Sequence, residues 1–236
     1  MEEERKGIEL LITTLKQISE FNQWLVSKQN HIDINTFYNQ IITTITENNQ
    51  NNEITIHQFL VLLQEKINKI PLTDEEEGCP MNGILITTNQ CLPCNTETTK
   101  SDAPMFITIK RNEFIQMTSV QRAIVTFLEA HYCKAKQCEI CGKDLMVINE
   151  YLFEPKILCV ELSHLDLSLD INKHISINSK EYECISVLFK RNNIFYSLQK
   201  IENNWIGSDE SITCINETDD IQFTFYQRLP HYLNDL

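Results

Sequence analysis

Apolar residues recur with a helical period through the first 70 residues of the chain. Three groups, Ile8 to Ile18, Phe37 to Ile45 and Ile56 to Ile67, place apolar side chains three and four positions apart, which is typical of amphipathic helices. Asp33 precedes the second group and is suited to cap its helix. The polar run from Glu47 to Glu53 predicts a loop. The pattern therefore predicts three helices at the start of the chain.

Short apolar and alternating runs replace the helical period after Cys79. Gly83 to Thr88 and Met105 to Lys110 are typical of strands, whereas Ser119 to His131 predicts one more helix. From Ile157 onward, strand-like segments follow one another: ILCVEL, ISI, YECISVLF, IFYSL and IQFTFY. Helices first and strands afterwards indicate an α+β fold.

The composition is ordinary for a soluble globular protein. A hydrophobic fraction of 42% in 236 residues is enough for one large core or two small ones. The chain contains no apolar run of about 18 residues that would span a membrane. The N-terminal residues lack the apolar region of a signal peptide. We therefore expect a nuclear or cytoplasmic protein with no membrane partner.

The chain is strongly acidic, with a formal net charge of −13 and an isoelectric point near 4.9. Affinity for nucleic acid rests largely on Lys and Arg side chains that contact phosphates. The charge therefore argues against direct nucleic-acid binding and favours a basic protein partner.

Four of the nine cysteines form two Cys-x-x-C pairs, Cys91 with Cys94 and Cys138 with Cys141. Each pair can direct two thiolates at one ion, and two pairs complete the tetrahedral shell that zinc prefers. A shell closed by four sulfurs leaves no position for substrate, so the metal would be structural. The sequence predicts one zinc ion held by these four residues.

Three other interpretations of these cysteines remain open. The pairs can occur by chance in a chain with nine cysteines. Cys133 or His131 can replace one of the four ligands. A redox function for one pair is less favoured, because neither pair opens a helix after a strand as in thioredoxin-like proteins.

The order of motifs around the cysteines resembles that of the ubiquitin-specific proteases. Gly83 precedes the first pair as in the family, and PKILCVELSHL, from Pro155 to Leu165, resembles the family's Leu-Pro strand. ISINSKEYECISVLF, NIFYSL, NNWIGSDESI and IQFTFYQR then follow in the family's order. EITIHQFL, from Glu53 to Leu60, resembles the start of a family helix, so the resemblance covers nearly the whole chain.

The resemblance implies a papain-like, ubiquitin-specific-protease-like α+β fold in a single domain of residues 1–236. A helical thumb would occupy about residues 1–72. The zinc-bearing fingers and a palm helix would occupy about residues 79–150. An antiparallel palm sheet would follow in about residues 151–236.

The residues that carry catalysis in the family are replaced here. The family's nucleophile is a cysteine just before the first thumb helix, but the first cysteine of this chain is Cys79. The family's base is a histidine, and Ile194 stands at that position, where it cannot accept a proton. Asp209 stands where the family has its third catalytic residue, and a turn residue is the simpler interpretation. We expect a chain that is not an enzyme.

Recognition of ubiquitin is also expected to be weakened. In the family, two acidic residues receive the arginine-bearing tail of ubiquitin, and Thr55 and Gln58 occupy those positions here. Loss of both carboxylates removes charge-assisted contacts. His57 lies between them and is most simply a residue on a helix face.

The sequence therefore predicts a non-catalytic scaffold or interaction subunit of a multiprotein complex. A ubiquitin or ubiquitin-like reader that does not cleave is the first alternative. An active deubiquitinase with displaced catalytic residues is the second.

Overall fold

The computed structural model describes residues 2–28, 33–47, 54–72, 77–109, 119–162, 171, 173–202, 204–216 and 218–230. Its helices in these ranges are α1 (Glu2–Gln17), α2 (Ser19–Ser27), α3 (Ile34–Glu47), α4 (Ile56–Ile67) and α5 (Val120–Leu128). Its strands are β1 (Ile84–Cys91), β2 (Thr96–Asp102), β3 (Ile107–Thr108), β4 (His131–Gln137), β5 (Asp144–Phe153), β6 (Ile157–Glu161), β7 (His174–Ile177), β8 (Lys180–Arg191), β9 (Ile194–Ile201), β10 (Asn204–Gly207) and β11 (Asp220–Arg228).

The strands form two sheets. A four-stranded sheet has the order β2-β1-β5-β4, and a seven-stranded sheet has the order β10-β9-β8-β11-β6-β3 with β7 paired to β8. β3 and β6 run parallel, whereas β1, β2, β4 and β5 pair antiparallel. The chain divides into two compact units, Met1–Pro80 with Ile185–Thr224 and Met81–Cys184 with Phe225–Leu236. The division into thumb, fingers and palm stays a prediction.

The helices of the first unit bury the faces that the sequence predicts. Ile8, Leu11 and Leu15 of α1 are fully buried. The predicted apolar face of α4 is buried as well. Burial of one such side chain stabilises the fold by about 1.5–3 kcal/mol relative to exposure. α1 packs against α4 and against β9, so it joins the helices to the sheet within this unit.

Asp33 caps α3 as predicted. Its carboxylate accepts hydrogen bonds from the backbone N–H of Asn35 at 3.1 Å and from Thr36 Oγ1 at 2.5 Å. Two predictions for this region lie outside the described residues. They concern residues 48–53 of the predicted loop and the side chains of Ile41, Ile42 and Ile45 on the predicted helix face.

The helices predicted from the sequence do not include α2. The chain bends at Ile18, whose backbone is extended, and then resumes a helix that buries Phe21, Trp24 and Leu25. This spacing is a helical signal that was visible in the sequence. The indole N–H of Trp24 donates to the carbonyl of Glu77 at 3.2 Å and thereby holds α2 to the residues that follow α4.

A buried ion pair fixes the segment between β10 and β11. The guanidinium of Arg191 donates to both carboxylate oxygens of Asp219, at 2.9 and 2.7 Å. The same guanidinium donates to the carbonyl of Cys214 at 3.0 Å, and the backbone N–H of Asn216 donates to Asp219 at 2.7 Å. The side chain of Asp219 is fully buried, so the end of β8 anchors the loop that enters β11.

The second unit contains the four-stranded sheet, β3, β6 and β7, together with the start of β8 and the end of β11. Every residue of β6 is buried, as expected for an apolar strand in the middle of a sheet. The buried hydroxyl of Tyr182 on β8 donates to the carbonyl of Pro155 at 2.7 Å. Asn149 of β5 donates through its side-chain amide to the carbonyl of Phe127 at 2.8 Å, which ties the sheet to α5.

Several predicted boundaries differ from the structure. The helix predicted to reach His131 ends at Leu128, because Glu129 is extended and His131 already begins β4. Ser119 starts this helix by accepting a hydrogen bond from the backbone N–H of Arg122. The strand predicted from Met105 to Lys110 shortens to β3, and Lys110 lies outside the described residues. β2, β4 and β5 have no counterpart among the predicted strands.

Candidate metal centre and other candidate site residues

The two Cys-x-x-C pairs lie in turns between antiparallel strands. Cys91 is the last residue of β1, and Cys94 lies in the turn that leads to β2. Cys138 and Cys141 lie in the turn between β4 and β5. Because β1 and β5 are neighbours in the sheet, both turns are at the same end of it.

Backbone conformation makes these turns possible. The second turn is closed by hydrogen bonds from the N–H of Gly142 to the carbonyl of Cys138 and from the N–H of Cys138 to the carbonyl of Lys143, both at 2.8 Å. Gly142 has φ +68°, a left-handed conformation that glycine adopts at little cost. Asn95 has φ 52° at the end of the first turn, and asparagine tolerates this region better than most residues.

The four sulfur atoms form one cluster. All four lie within 4.8 Å of one another, with 3.5 Å between Cys91 and Cys141 and 3.9 Å between Cys94 and Cys138. A tetrahedral zinc ion with bonds of about 2.3 Å would separate its sulfur ligands by about 3.8 Å. The cluster therefore fits one zinc ion.

Hydrogen bonds and burial already differentiate the thiols. The backbone N–H groups of Cys141 and Ile140 donate to the sulfur of Cys138 and lower the pKa of this thiol to about 6. The hydrogen bond with Cys141, together with burial, raises the pKa of Cys94 to about 12. Burial raises the pKa of Cys91. Cys138 thus offers a thiolate at neutral pH, and a metal that binds would displace protons from its neighbours.

The alternative ligands are outside this cluster. Cys133 lies within β4 opposite Leu145, and the Nδ1 atom of His131 is 2.9 Å from the carbonyl oxygen of Glu129. Within the described part of the chain, the cluster has only the four predicted cysteines. Their convergence from distant positions argues against a chance occurrence of the pairs.

In the first unit, polar and apolar side chains fill the space where α1 meets β9. The Glu4 carboxylate accepts from Lys190 Nζ at 3.2 Å and from the backbone N–H of Ile56 at 3.4 Å. Lys190 Nζ also lies 4.4 Å from the centre of the Phe195 ring. A Cβ atom added at Gly7 would lie 2.7 Å from the side chain of Ile56 and 2.9 Å from that of Phe195. This junction is therefore closely packed.

Ile194 lies at the start of β9, one residue before Phe195. It pairs with Arg191 across a two-residue turn made of Asn192 and Asn193, whose φ angles are 52° and 64°. Such positive φ values are typical of tight β-hairpins. The side chain of Ile194 is 38% exposed.

Asp209 has the local hydrogen bonds of a turn residue. One carboxylate oxygen accepts from both the backbone N–H and the hydroxyl of Ser211, each at 2.9 Å. These bonds lower the pKa of Asp209. Side chains of Asp commonly stabilise turns through this pattern.

Thr55 and Gln58 form a capping box at the start of α4. The Thr55 hydroxyl accepts from the Gln58 N–H at 3.2 Å, and the Gln58 side chain accepts from the Thr55 N–H at 2.9 Å. The T-x-x-Q spacing is a capping signal that was visible in the sequence. His57 between them is half-buried on the helix face. In the described structure, Thr55 and Gln58 stabilise the helix terminus.

Comparison with known proteins identifies solved structures with a similar fold. No protein-family model matches the sequence, and no curated protein matches it. Solved structures do match. A chain of the SAGA DUB module with Ubp8, Sgf11, Sus1 and Sgf73 bound to monoubiquitin has a TM-score of 0.62 and 14% identity. That match covers 92% of this chain and 65% of the other.

Two further structures of the module give the same result. One, with a shortened Sgf11, has a TM-score of 0.60 and 14% identity, and the match covers 95% of this chain and 66% of the other. A yeast SAGA DUB module with an Sgf73 mutant has a TM-score of 0.57 and 15% identity. That match covers 75% of this chain and 51% of the other. This chain thus spans about two thirds or less of the chains it matches.

These matches establish the fold class. The chain has the mixed helix-and-antiparallel-sheet fold of the DUB-module structures, which confirms the ubiquitin-specific-protease-like prediction in this coarse form. Its four clustered cysteines can hold one zinc ion. Among the described residues, no helix has both the length and the apolar character needed to cross a membrane.

Proposed function

We propose that this chain is a non-catalytic, ubiquitin-specific-protease-like interaction subunit of a multiprotein complex. In this proposal, helices α1 to α4 are the thumb, the four-stranded sheet forms the fingers and the seven-stranded sheet is the palm. The protein acts inside the cell, in the nucleus or the cytoplasm, with protein partners and without direct contact to nucleic acid or membrane.

The observation that carries the proposal is Ile194, which the resemblance to the ubiquitin-specific proteases puts at the position of that family's base. An isoleucine side chain cannot take the proton that a cysteine nucleophile must lose. An active deubiquitinase would need a base at a position other than 194.

A structural zinc ion fits this function. Cys91, Cys94, Cys138 and Cys141 would hold it and close its coordination shell, so the ion would stabilise the tip of the fingers without taking part in chemistry. The acidic net charge of −13 favours basic partners. The similar DUB modules contain several different chains, which supports an assembly as the setting.

A ubiquitin reader is the competing function, and a titration separates the two. We expect ¹⁵N-labelled ubiquitin to show weak, unsaturated NMR shifts with this chain at several hundred micromolar, because Thr55 and Gln58 supply no carboxylate for the ubiquitin tail. The absent contacts would each contribute about 1.5–3 kcal/mol, which moves a micromolar affinity toward the millimolar range. Saturation with a Kd below about 10 μM would establish a reader instead.

Co-purification identifies the assembly that the proposal requires. Mass spectrometry of the native complex, purified through a tag on this chain, should return a fixed set of protein partners in constant ratio. A chain that purifies alone from native extract would contradict a role as a subunit.

A further inference from the structure

The four clustered thiols differ in their access to solvent. Cys141 is exposed and Cys94 is half-buried, whereas Cys91 and Cys138 are buried, with 0% and 7% of their surface exposed. Oxidation of cysteine follows thiolate character and exposure. Cysteines that ligate zinc are deprotonated, so exposure decides which of the four sulfurs an oxidant meets first. Cys141 is therefore the entry point for an oxidant from solution.

The chain neighbours of Cys141 leave this entry point open. Ile140 on one side is 74% exposed. On the other side, a Cβ atom added at Gly142 would have no heavy atom within 4 Å apart from those of the adjacent residues. Both neighbours thus lie at an open surface, where a small molecule can approach the sulfur of Cys141.

A second sulfur lies in contact with the exposed one. The Sγ atoms of Cys91 and Cys141 are 3.5 Å apart, although the two residues are 50 positions apart in the chain. Because Cys91 is fully buried, its sulfur is reached from within the cluster and not from solvent. The two sulfurs would need to move only about 1.5 Å closer to reach the disulfide bond length of about 2.05 Å.

We propose that Cys141 and Cys91 form a hydroperoxide-sensitive pair, whose oxidation to a disulfide releases the zinc ion and keeps the two cysteine turns joined. The proposal rests on the candidate metal centre and not on the lack of catalysis. Cys91 ends β1, whereas Cys141 lies in the turn between β4 and β5, so the bond crosses from one turn to the other. It therefore differs from a redox function of a single Cys-x-x-C pair, in which both sulfurs belong to the same turn.

The oxidation takes two steps and consumes one hydroperoxide, ROOH. The thiolate of Cys141 attacks the terminal oxygen, which forms an S–O bond, breaks the O–O bond and releases RO⁻ from a sulfenic acid. The thiolate of Cys91 then attacks the sulfenic sulfur, which forms the S–S bond and expels hydroxide. The two thiolates lose two electrons in total, and the hydroperoxide gains them.

The disulfide changes what holds the two turns together. It removes two of the four ligands and leaves Cys94 and Cys138, whose sulfurs are 3.9 Å apart. Two thiolates do not complete the tetrahedral shell that a structural zinc ion requires, so the ion is released. The covalent bond then links the two turns in place of the metal. Reduction of the disulfide in the presence of zinc reverses the change.

Treatment of the zinc-loaded full chain with hydrogen peroxide tests the proposal. We expect about one zinc per chain to appear in a colorimetric assay for each equivalent of peroxide consumed. Dithiothreitol and added zinc should restore the metal content. Tandem mass spectrometry should then identify a Cys91–Cys141 disulfide in the oxidised chain. Trypsin cuts after Lys136 and Lys143, so this disulfide joins two peptides, whereas a bond within one Cys-x-x-C pair does not.

Two histidine replacements provide a matched pair of variants, because histidine ligates zinc but forms no disulfide. Cys141→His should slow the release of zinc by peroxide about tenfold or more, since the exposed thiolate is gone. Cys94→His keeps both sulfurs of the proposed pair and should stay within about threefold of the parent rate. Cys214→Ser removes an exposed cysteine outside the cluster and should leave the rate unchanged.

Several outcomes would overturn the proposed pair. These are retention of zinc under peroxide that oxidises Cys214, a disulfide other than Cys91–Cys141, zinc loss without any disulfide, and equal slowing in the two histidine variants. Should a histidine variant fail to load zinc, the disulfide found in the parent protein decides. None of these outcomes alters the proposed non-catalytic function, because that is tested separately with ubiquitin and by co-purification.

Discussion

Replacement of Cys138 by serine is expected to release the metal and to lower the thermal midpoint by about 10 °C or more. Structural zinc sites contribute about 10–16 kcal/mol of apparent binding free energy at neutral pH, and loss of one thiolate removes much of it. Cys138 is the thiol whose pKa is lowered to about 6 by backbone N–H donors, whereas the pKa values of Cys91 and Cys94 are raised. Metal analysis should show about one zinc per chain in the parent protein and much less in the variant.

Cys133→Ser is the matched control, because Cys133 lies in β4 near the site but outside the sulfur cluster. It should retain the metal and change the midpoint by a few degrees at most, in line with about 2–4 °C per kcal/mol for chains of this size. A parent protein without zinc, or metal loss in Cys133→Ser equal to that in Cys138→Ser, would contradict the assigned ligand set.

Replacement of Asp219 by asparagine is expected to destabilise the protein by about 3 kcal/mol. Removal of one partner of a buried ion pair costs about 3–5 kcal/mol because the other charge stays buried. The lower end of this range applies here, because the Arg191 side chain is 24% exposed. The thermal midpoint should fall by about 6–12 °C. Urea denaturation followed by circular dichroism measures the change in the free energy of unfolding.

The same ion pair makes stability sensitive to acid. Burial of Asp219 opposes ionisation, but the hydrogen bonds from Arg191 and Asn216 outweigh it and lower the pKa of this carboxyl. A lowered pKa in the folded state gives stability that is complete above the unfolded value of about 3.9 and is lost as pH falls through the folded value. The difference in the free energy of unfolding between the parent protein and Asp219→Asn should therefore be smallest at the lowest pH.

Asp209→Asn is the control for a carboxylate in an exposed turn. Its hydrogen bonds with Ser211 are local, so the expected loss is about 1 kcal/mol or less. A loss at Asp209 that equals the loss at Asp219 would contradict the description of Asp209 as a turn residue. It would also contradict the Arg191–Asp219 pair as the anchor of the segment between β10 and β11.

The sequence predicts the buried elements of this fold better than its exposed ones. The helical period of α1 and α4 and the apolar runs of β6 and β11 exist because their side chains enter a core. β2 has no such pattern, since all seven of its residues are exposed. It is held by pairing with β1 and by the cysteine turn that precedes it. Pairing in such a hairpin needs no apolar side chains on β2, so the hydrophobic pattern does not reveal the strand.

The candidate site residues also differ in how visible they are in the sequence. The cysteine spacing identifies all four clustered thiols, because metal ligation leaves a local signature in the chain. The Glu4–Lys190 ion pair joins residues 186 positions apart, so sequence spacing carries no sign of it. Sequence comparison with the resembled family predicts only that Thr55 and Gln58 lack carboxylates, whereas the structure shows that they cap α4.

The most direct test of a non-catalytic function is the turnover of a fluorogenic ubiquitin substrate by the purified, zinc-loaded chain. In the proposed function, Ile194 stands where the ubiquitin-specific proteases have a histidine base, and its side chain cannot accept a proton. We therefore predict that the rate equals that of buffer at every pH from about 6 to 9, the range over which cysteine and histidine titrate. Turnover that is abolished by alkylation of a single cysteine would contradict the account and establish an active deubiquitinase with displaced catalytic residues.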